Sequence, residues 1–352
     1  MRIGLIAPPW VPVPPPAYGG TESVIDRLTR GLQAAGHDVL LAAAANSTCP
    51  VARVPGTDEA PEDAAVQTEA VGEARHVLTS YAAMGDMDIV HDHTNIGPLL
   101  RRPPRHEHVV TTNHGPFDDR LSSLYRAMPD VPIIAISRHQ ASTAEGIPIA
   151  AVIHHGLDLA NFPVGAGDGG YACFLGRMSA DKGPREAAII AREAGVPLRM
   201  AAKLREPAEV EYFEAAVKPM LGQDVEYVGE LGEEEKVELL GGSFALLNPI
   251  QWPEPFGLVM IEALATGTPV VATPAGSAPE IIQDGVTGYL RRDSAALASA
   301  LLEAASLDRE RCRVEAEQRF STERMVGDHV RLYERALSGD LAEPAGPHSR
   351  AC

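Results

Sequence analysis

The chain has 352 residues, which at about 150 residues per domain implies two domains, each long enough to bury its own core. With 45% hydrophobic, 22% charged and 5% aromatic residues, it is composed as a soluble globular protein, which excludes the disordered and fibrous classes. Thirty Lys and Arg against 48 Asp and Glu leave a formal net charge of −18, which repels phosphate backbones and anionic lipid surfaces and argues against a nucleic-acid partner.

From the N-terminus onward, short runs rich in Ile, Val, Leu and Ala alternate with longer amphipathic stretches, the βαβ rhythm of parallel sheets. In the first half, strands are expected at 2–7, 38–44, 88–93, 108–114, 132–137 and 150–155. The opening MRIGLIAPPW is interrupted by prolines before it reaches signal-peptide length, and no run of about 18 apolar residues follows, so no membrane span and a cytoplasmic location are expected. Between the first two strands, Val24, Leu28 and Leu32 recur at four-residue steps and predict a helix over 21–35 that covers a sheet.

The segment Val164 to Gly170, VGAGDGG, holds four glycines and reads as a flexible interdomain linker. Beyond it the rhythm restarts, with strands expected at 171–176, 197–203, 225–230, 244–250, 269–273 and 287–290, then helix over 295–337 and a polar, disordered tail at 338–352. The expected fold class is therefore α/β: two Rossmann-like, doubly wound parallel-sheet domains, 1–163 and 164–320. Such sheets bind ligands at the carboxyl ends of their strands, which predicts a site in a cleft between the domains. Cys49, Cys173, Cys312 and Cys352 have no paired spacing, so reduced thiols are expected and no metal site is predicted.

The densest motif is Trp252 to Thr273, WPEPFGLVMIEALATGTPVVAT. Glu254 and Glu262 stand eight residues apart, with Pro255 and Gly257 marking a loop that turns into a helix from Leu258 to Ala265. At 1.5 Å per residue the two carboxylates would lie about 12 Å apart along an axis, too far for glycosidase-type pairing but suited to the two ends of an elongated ligand. The helix N-terminus between them can take an anion such as a diphosphate. Following the strand at 171–176, GRMSADKG places Arg177 and Lys182 around one loop, a clamp for diphosphate oxygens and leaving-group charge.

In PPPAYGGTE, Gly19 and Gly20 open the first long helix and let backbone approach a ligand. Histidines gather at strand ends: His91 and His93, His114, and His154 and His155. Packing or capping roles are expected for His91, His154 and His155. Two motifs are set aside. GAGDGG at Gly165 to Gly170 precedes a strand rather than a helix, so it is no dinucleotide fingerprint, and Asp86-Met87-Asp88 sits at the start of a strand, where a metal-binding DxD motif would be misplaced.

The spacing Glu254-x7-Glu262 with PFG after the first Glu resembles that of retaining glycosyltransferases of family 4, which have the GT-B fold, and the similarity extends over nearly the whole chain. The resemblance implies that the N-terminal domain, joined by the C-terminal helix at about 321–337, binds the acceptor and that the C-terminal domain binds a nucleotide-diphosphate sugar, a UDP- or GDP-sugar. It implies catalytic roles for His114, Arg177, Lys182 and Glu254, with Glu254 on sugar hydroxyls, His114 near the reacting carbon and His93 at a second matching position. Donor contacts are implied for Gly19, Gly20, Phe256, Gly257, Leu258 and Glu262, the last on the ribose, and for backbone near Val228, Glu230 and Leu231 on the base. No cofactor or metal is expected, and a front-face transfer with retention is.

Asp118 to Asp130 lacks a basic amphipathic face, so a soluble acceptor is expected. A sugar-nucleotide epimerase or a phosphorylase on the same scaffold is the alternative, distinguished by acid and base carboxylates at the sugar or a pyridoxal phosphate lysine. A non-catalytic sugar-nucleotide binder would be marked by loss of Glu254 or Lys182.

Overall fold

A computed structural model describes residues 1–16, 19–61, 70–103 and 106–341. It divides into two units: unit 1 comprises Met1–Gly156 and the chain from Thr322 onward, and unit 2 comprises Leu157–Ser321.

Unit 1 is built on seven parallel strands: β1 (Arg2–Ile6), β2 (Asp38–Ala42), β3 (Ala52–Arg53), β4 (Ile89–Asp92), β5 (Val109–Thr112), β6 (Ile133–Ala135) and β7 (Ile149–Val152). Their order is β3-β2-β1-β4-β5-β6-β7. In unit 2, β8 (Ala172–Arg177), β9 (Leu198–Lys203), β10 (Val225–Gly229), β11 (Ala245–Asn248), β12 (Val270–Ala272) and β13 (Gly288–Leu290) pair in the order β10-β9-β8-β11-β12-β13. Every ladder is parallel, with Leu5 facing Leu41 on one side and His91 on the other, and Leu246 facing both Cys173 and Val270.

The sequence dictates this arrangement because sheets covered by helices on both faces need strands that are apolar almost throughout. Ile3, Leu5 and Ile6 in β1, Ile133 and Ile134 in β6, and Leu246 and Leu247 in β11 have no exposed surface. In each sheet the chain order reverses beside the first strand, between β1 and β4 and between β8 and β11. At such a switch point the loops at the strands' carboxyl ends diverge and leave room for a ligand. The loops after β4, β8 and β11 carry His93, Lys182 and Glu254.

The first helix spans Gly20–Ala34 and buries Val24, Leu28 and Leu32, the residues that predict it. Its Gly31 admits the C-terminal helix Thr322–Ser338, since a Cβ there would lie 2.6 Å from Cγ2 of Val326. The helical stretch after β13 is three helices. Asp293 and Asp308 cap the first two, Ser294–Ala304 and Arg309–Phe320, by accepting from the amides of Ala296 and Glu310. No helix among the described residues is long and apolar enough to cross a membrane. Most of the expected tail, 342–352, lies outside the described residues.

Three expectations are corrected. The short β3 is absent from the predicted strands, because two exposed residues carry no periodicity. The unit boundary falls at Gly156–Leu157 rather than at 163–164, and the glycine-rich segment is not a flexible linker but a stitched part of unit 2. Amides of Gly165, Gly167 and Gly169 donate to the carbonyls of Thr266, Gly241 and Gly242 at 3.0 Å. Glycine is required at 165 by closeness of approach, since a Cβ would land 2.2 Å from the Gly241 carbonyl oxygen. Leu157 donates to the Phe320 carbonyl at 2.8 Å, and Arg313 donates to the carbonyls of Leu159 and Phe162, which holds the preceding residues to the same unit.

Arg309 is the hub of this stitching: its guanidinium donates to the carbonyls of Gly165, Ser243, Gly241 and Thr266 and to the Thr268 hydroxyl, at 2.7–3.2 Å. Arg309→Met strands several carbonyls together, so it is expected to lower unfolding free energy by about 2 kcal/mol or more, read as a lower urea midpoint at unchanged slope. An unchanged midpoint would show that this hub contributes nothing.

Candidate active site

In unit 2, β8 ends at Arg177 and passes through a single 3-10 turn, Ala180–Lys182, into the helix Pro184–Ala194. Arg177 donates to Asp181 at 3.1 Å. The loop after β11 is tied to this turn, as the Gln251 amide donates to the Asp181 carbonyl at 2.8 Å. The tie brings together two residues distant in sequence: Nζ of Lys182 is paired with Oε2 of Glu254, and both side chains are largely withdrawn from water. The Trp252 indole N–H donates to the same carboxylate oxygen at 3.1 Å, and Lys182 Nζ lies 5.5 Å from the centre of the Trp252 ring.

The backbone around Glu254 is fixed from behind. Ser277 donates from its amide to the Glu254 carbonyl at 3.0 Å and from its hydroxyl to the Phe256 carbonyl. Gly276 has φ +58°, and a Cβ there would meet the Glu254 carbonyl oxygen at 2.1 Å, so no other residue fits beneath this loop.

Gly257, at φ +83°, is the N-cap of the helix Leu258–Ala265 and supplies no side-chain cap. The Met260 amide donates to the Gly257 carbonyl at 3.1 Å, no side chain caps the first turn, and the dipole end favours an anion. Glu254 itself lies in the loop before this helix, so the 12 Å spacing along a helix axis is corrected: helical rise begins only at Leu258.

Glu262, buried within the helix, pairs with Lys236 of the helix Glu233–Gly242 at 2.8 Å. That helix follows the loop expected to meet the base. Val228 lies where the β10–β9 register shifts, and Glu230 accepts two bonds from Arg205, at 2.8 and 2.9 Å. Leu231 follows directly. Lys236 and Arg205 are absent from the sequence-based site; nothing in their local sequence distinguishes them from solvated surface cations.

The remaining expected residues belong to unit 1. Gly19 is the N-cap of the first helix with extended backbone, and glycine is needed there for space, because a Cβ would meet Pro15 Cβ at 2.6 Å. Gly20 begins the helix. Ala17 and Tyr18, within the same motif, lie outside the described residues. Glu22 in the first turn is buried, and burial pushes its carboxyl up to about 7.

His114 follows β5, and its loop is held by a residue the sequence did not single out. Buried Gln140 donates to the carbonyls of Asn113 and Gly115, on either side of His114, while its own carbonyl accepts from the Ile136 amide at 2.7 Å. The Ser137 hydroxyl caps the helix Arg138–Ser142 by accepting from the Gln140 amide at 2.9 Å, which sets Gln140 in place.

Around His114 the histidines form one cluster. His93 Nδ1 lies 2.9 Å from His114 Nε2, and the His155 ring stacks on His114 with centroids 5.4 Å apart. The His91 ring lies 3.9 Å from that of His93, and its two nitrogens bond the Tyr333 and Thr112 hydroxyls, each at 2.8 Å. His329, from the C-terminal helix, lies 5.3 Å from His91 and bonds the Met325 carbonyl through Nδ1. The carbonyls of His154 and His155 accept from Arg324. Asp88, from the discarded DxD motif, bonds Arg2 at the opposite, N-terminal ends of the strands. Burial also raises the Cys49, Cys173 and Cys312 thiols to about 12, and Cys352 lies outside the described residues.

Comparison with known proteins agrees with this architecture. Residues 171–306 match the family described as glycosyl transferases group 1, and residues 18–161 match glycosyltransferase family 4. The chain belongs to the group 1 glycosyltransferases of the family 4 type. N-acetyl-alpha-D-glucosaminyl L-malate synthase of Bacillus anthracis is 35% identical over 118 residues, a stretch that spans 31% of this chain and 31% of that relative. AviGT4, a glycosyltransferase involved in avilamycin A biosynthesis, is 27% identical with a TM-score of 0.74, covering 96% of this chain and 98% of that one. Anabaena Alr3699/HepE, solved in complex with UDP-glucose, is 17% identical with a TM-score of 0.70 over 96% of this chain and 100% of its own. The fold is GT-B.

Burial, reinforced by the mutual repulsion of neighbouring rings, pushes His114 down to about 4 and holds His91, His93 and His155 well below the usual value of 6.5, and burial pushes His329 down to about 4 although the Asp328 carboxylate opposes it. These five histidines thus bind fewer protons in the folded protein than in the unfolded chain between about pH 6.5 and 4, and the carboxyls of Glu22 and Asp92, raised by burial to about 7 and about 6, offset only part of that difference. Unit 1 is expected to be at full stability above about pH 6.5 and to lose it progressively as pH falls toward 4, followed by chemical denaturation across that range. A flat profile over the interval would contradict a neutral, buried cluster.

Proposed function

We propose that this chain transfers a sugar from a nucleotide-diphosphate donor, a UDP- or GDP-sugar, to an acceptor hydroxyl with retention at the anomeric carbon. The observation that carries the reading is the Lys182–Glu254 pair beside the N-terminus of the helix Leu258–Ala265, which no side chain caps. An ammonium, a neighbouring guanidinium at Arg177 and the amide end of a helix that no side chain caps form a cradle for a diphosphate, and Glu254 can turn to sugar hydroxyls once an anion takes over its hold on Lys182. Glu262, oriented by Lys236, is suited to a ribose diol, because a fixed carboxylate accepts from two adjacent hydroxyls. The UDP-glucose bound by HepE supports this donor class.

In the reaction, the bond between the anomeric carbon and the diphosphate oxygen breaks. The acceptor hydroxyl attacks from the same face and gives its proton to the departing phosphate. Arg177, Lys182 and the helix end stabilise the leaving charge, and Phe256, Gly257 and Leu258 contact it through backbone. His114 orients the sugar. No metal is required, the cations and helix amides standing in for it. The net charge of −18 supports a soluble rather than an anionic lipid acceptor, in the cytoplasm.

Lys182→Ala is expected to reduce turnover about a hundredfold or more while the melting curve retains one cooperative transition. Near-normal turnover would remove Lys182 from the mechanism. Among UDP-, GDP- and ADP-sugars, the true donor is expected to raise stability by about 2.7 kcal/mol at a hundred times its dissociation constant. No shift with any of them would overturn the donor class.

A further inference from the structure

The His93–His114 contact carries information that neither ring holds alone. Both rings are held neutral by burial, so each has one N–H and one bare nitrogen. The contact joins Nδ1 of His93 to Nε2 of His114 at 2.9 Å, so one ring donates and the other accepts. The remaining nitrogen of His93, Nε2, is buried without a partner among the described residues. If that nitrogen carried the proton, a buried N–H would go unpaired, which costs more than leaving a bare lone pair unpaired. The proton therefore sits on Nδ1 of His93, which donates to Nε2 of His114.

We infer that His93 is a positioning residue that fixes His114 as the Nδ1–H tautomer, so that His114 meets its ligand as a hydrogen-bond donor through Nδ1. Nδ1 of His114 has no hydrogen bond among the described residues, and the ring is half-buried, so this donor is left for a ligand. A hydroxyl or a phosphate oxygen of the donor substrate is the matching acceptor. The neighbours reinforce the assignment. His91 cannot relieve His93, because both of its nitrogens are engaged with Tyr333 and Thr112. His155, stacked on His114 at an interplanar angle of 19°, holds the plane of the ring without competing for Nε2. The functional part of this inference rests on the reading of His114 as a donor-sugar contact.

The test uses the full chain with histidines labelled with nitrogen-15. Two-bond nitrogen–proton spectra distinguish the tautomers, the His114 signals being assigned by their loss in His114→Ala. The native protein is expected to show His114 protonated on Nδ1. His93→Leu removes the donor and is expected to move the proton to Nε2 and to lower kcat about tenfold or more, with KM for the donor changed less. His93→Asn places an N–H where Nδ1 stood and is expected to restore both the tautomer and most of kcat. A proton on Nε2 of His114 in the native protein, or an unaltered tautomer in a folded His93→Leu variant, would overturn the inference. So would a drop in kcat for His114→Ala with none for His93→Leu. If the tautomer shifts as expected but His114→Ala itself is fully active, the tautomer assignment stands and the sugar-contact reading of His114 fails instead.

Discussion

Lys182 and Glu254 come from loops after different strands, and both are largely removed from water, so neither charge could stay there without the other. Their pairing dictates much of what surrounds it. Gln251 must reach the Asp181 carbonyl to align the two loops, Gly276 must be a glycine so that Glu254 can fold over it, and Gly257 must turn the chain into a helix at that point. The Lys236–Glu262 pair repeats the device in the same unit, and an exposed Arg205 holds Glu230. In the free protein, Lys182, Glu254, Glu262 and Glu230, four of the groups proposed to meet the donor, are held by internal partners, and under the proposed function donor binding is an exchange of ionic partners rather than a desolvation of bare charges.

Unit 1 meets the same constraint differently. Its buried polar groups at the strand ends are imidazoles, which stay neutral instead of pairing with opposite charges. Neutral rings lose little on burial if their nitrogens find partners, and Tyr333, Thr112 and Met325 supply them. One sheet thus presents ion pairs and the other a chain of hydrogen-bonded rings, and the proposed function gives phosphate charge to the first and sugar hydroxyls to the second.

Strand positions were legible because β1, β6, β11 and β12 are nearly continuous apolar runs, and the switch-point loops follow from that rhythm. Local motifs also located the N-cap glycine at 257 and the helix after it. What the sequence could not disclose were partners from afar. Lys236 reads as a surface cation until the fold sets it against Glu262, Gln140 as a polar helix residue until it clasps both sides of His114, and Arg309 as one charge among many. The glycines at 165–170 misled for a related reason. Composition does not distinguish a segment that needs freedom from one that needs closeness, and here backbone packed against Gly241 and Gly242 is what excludes a Cβ.

The central claim is that a nucleoside diphosphate takes the place of an internal carboxylate beside Lys182. Crystals grown with UDP or GDP test it most directly: the distal phosphate should lie within hydrogen-bond distance of Lys182 Nζ and the first-turn amides after Gly257, with the ribose on Glu262. A nucleotide bound elsewhere, with the Lys182–Glu254 pair unchanged, would contradict the account.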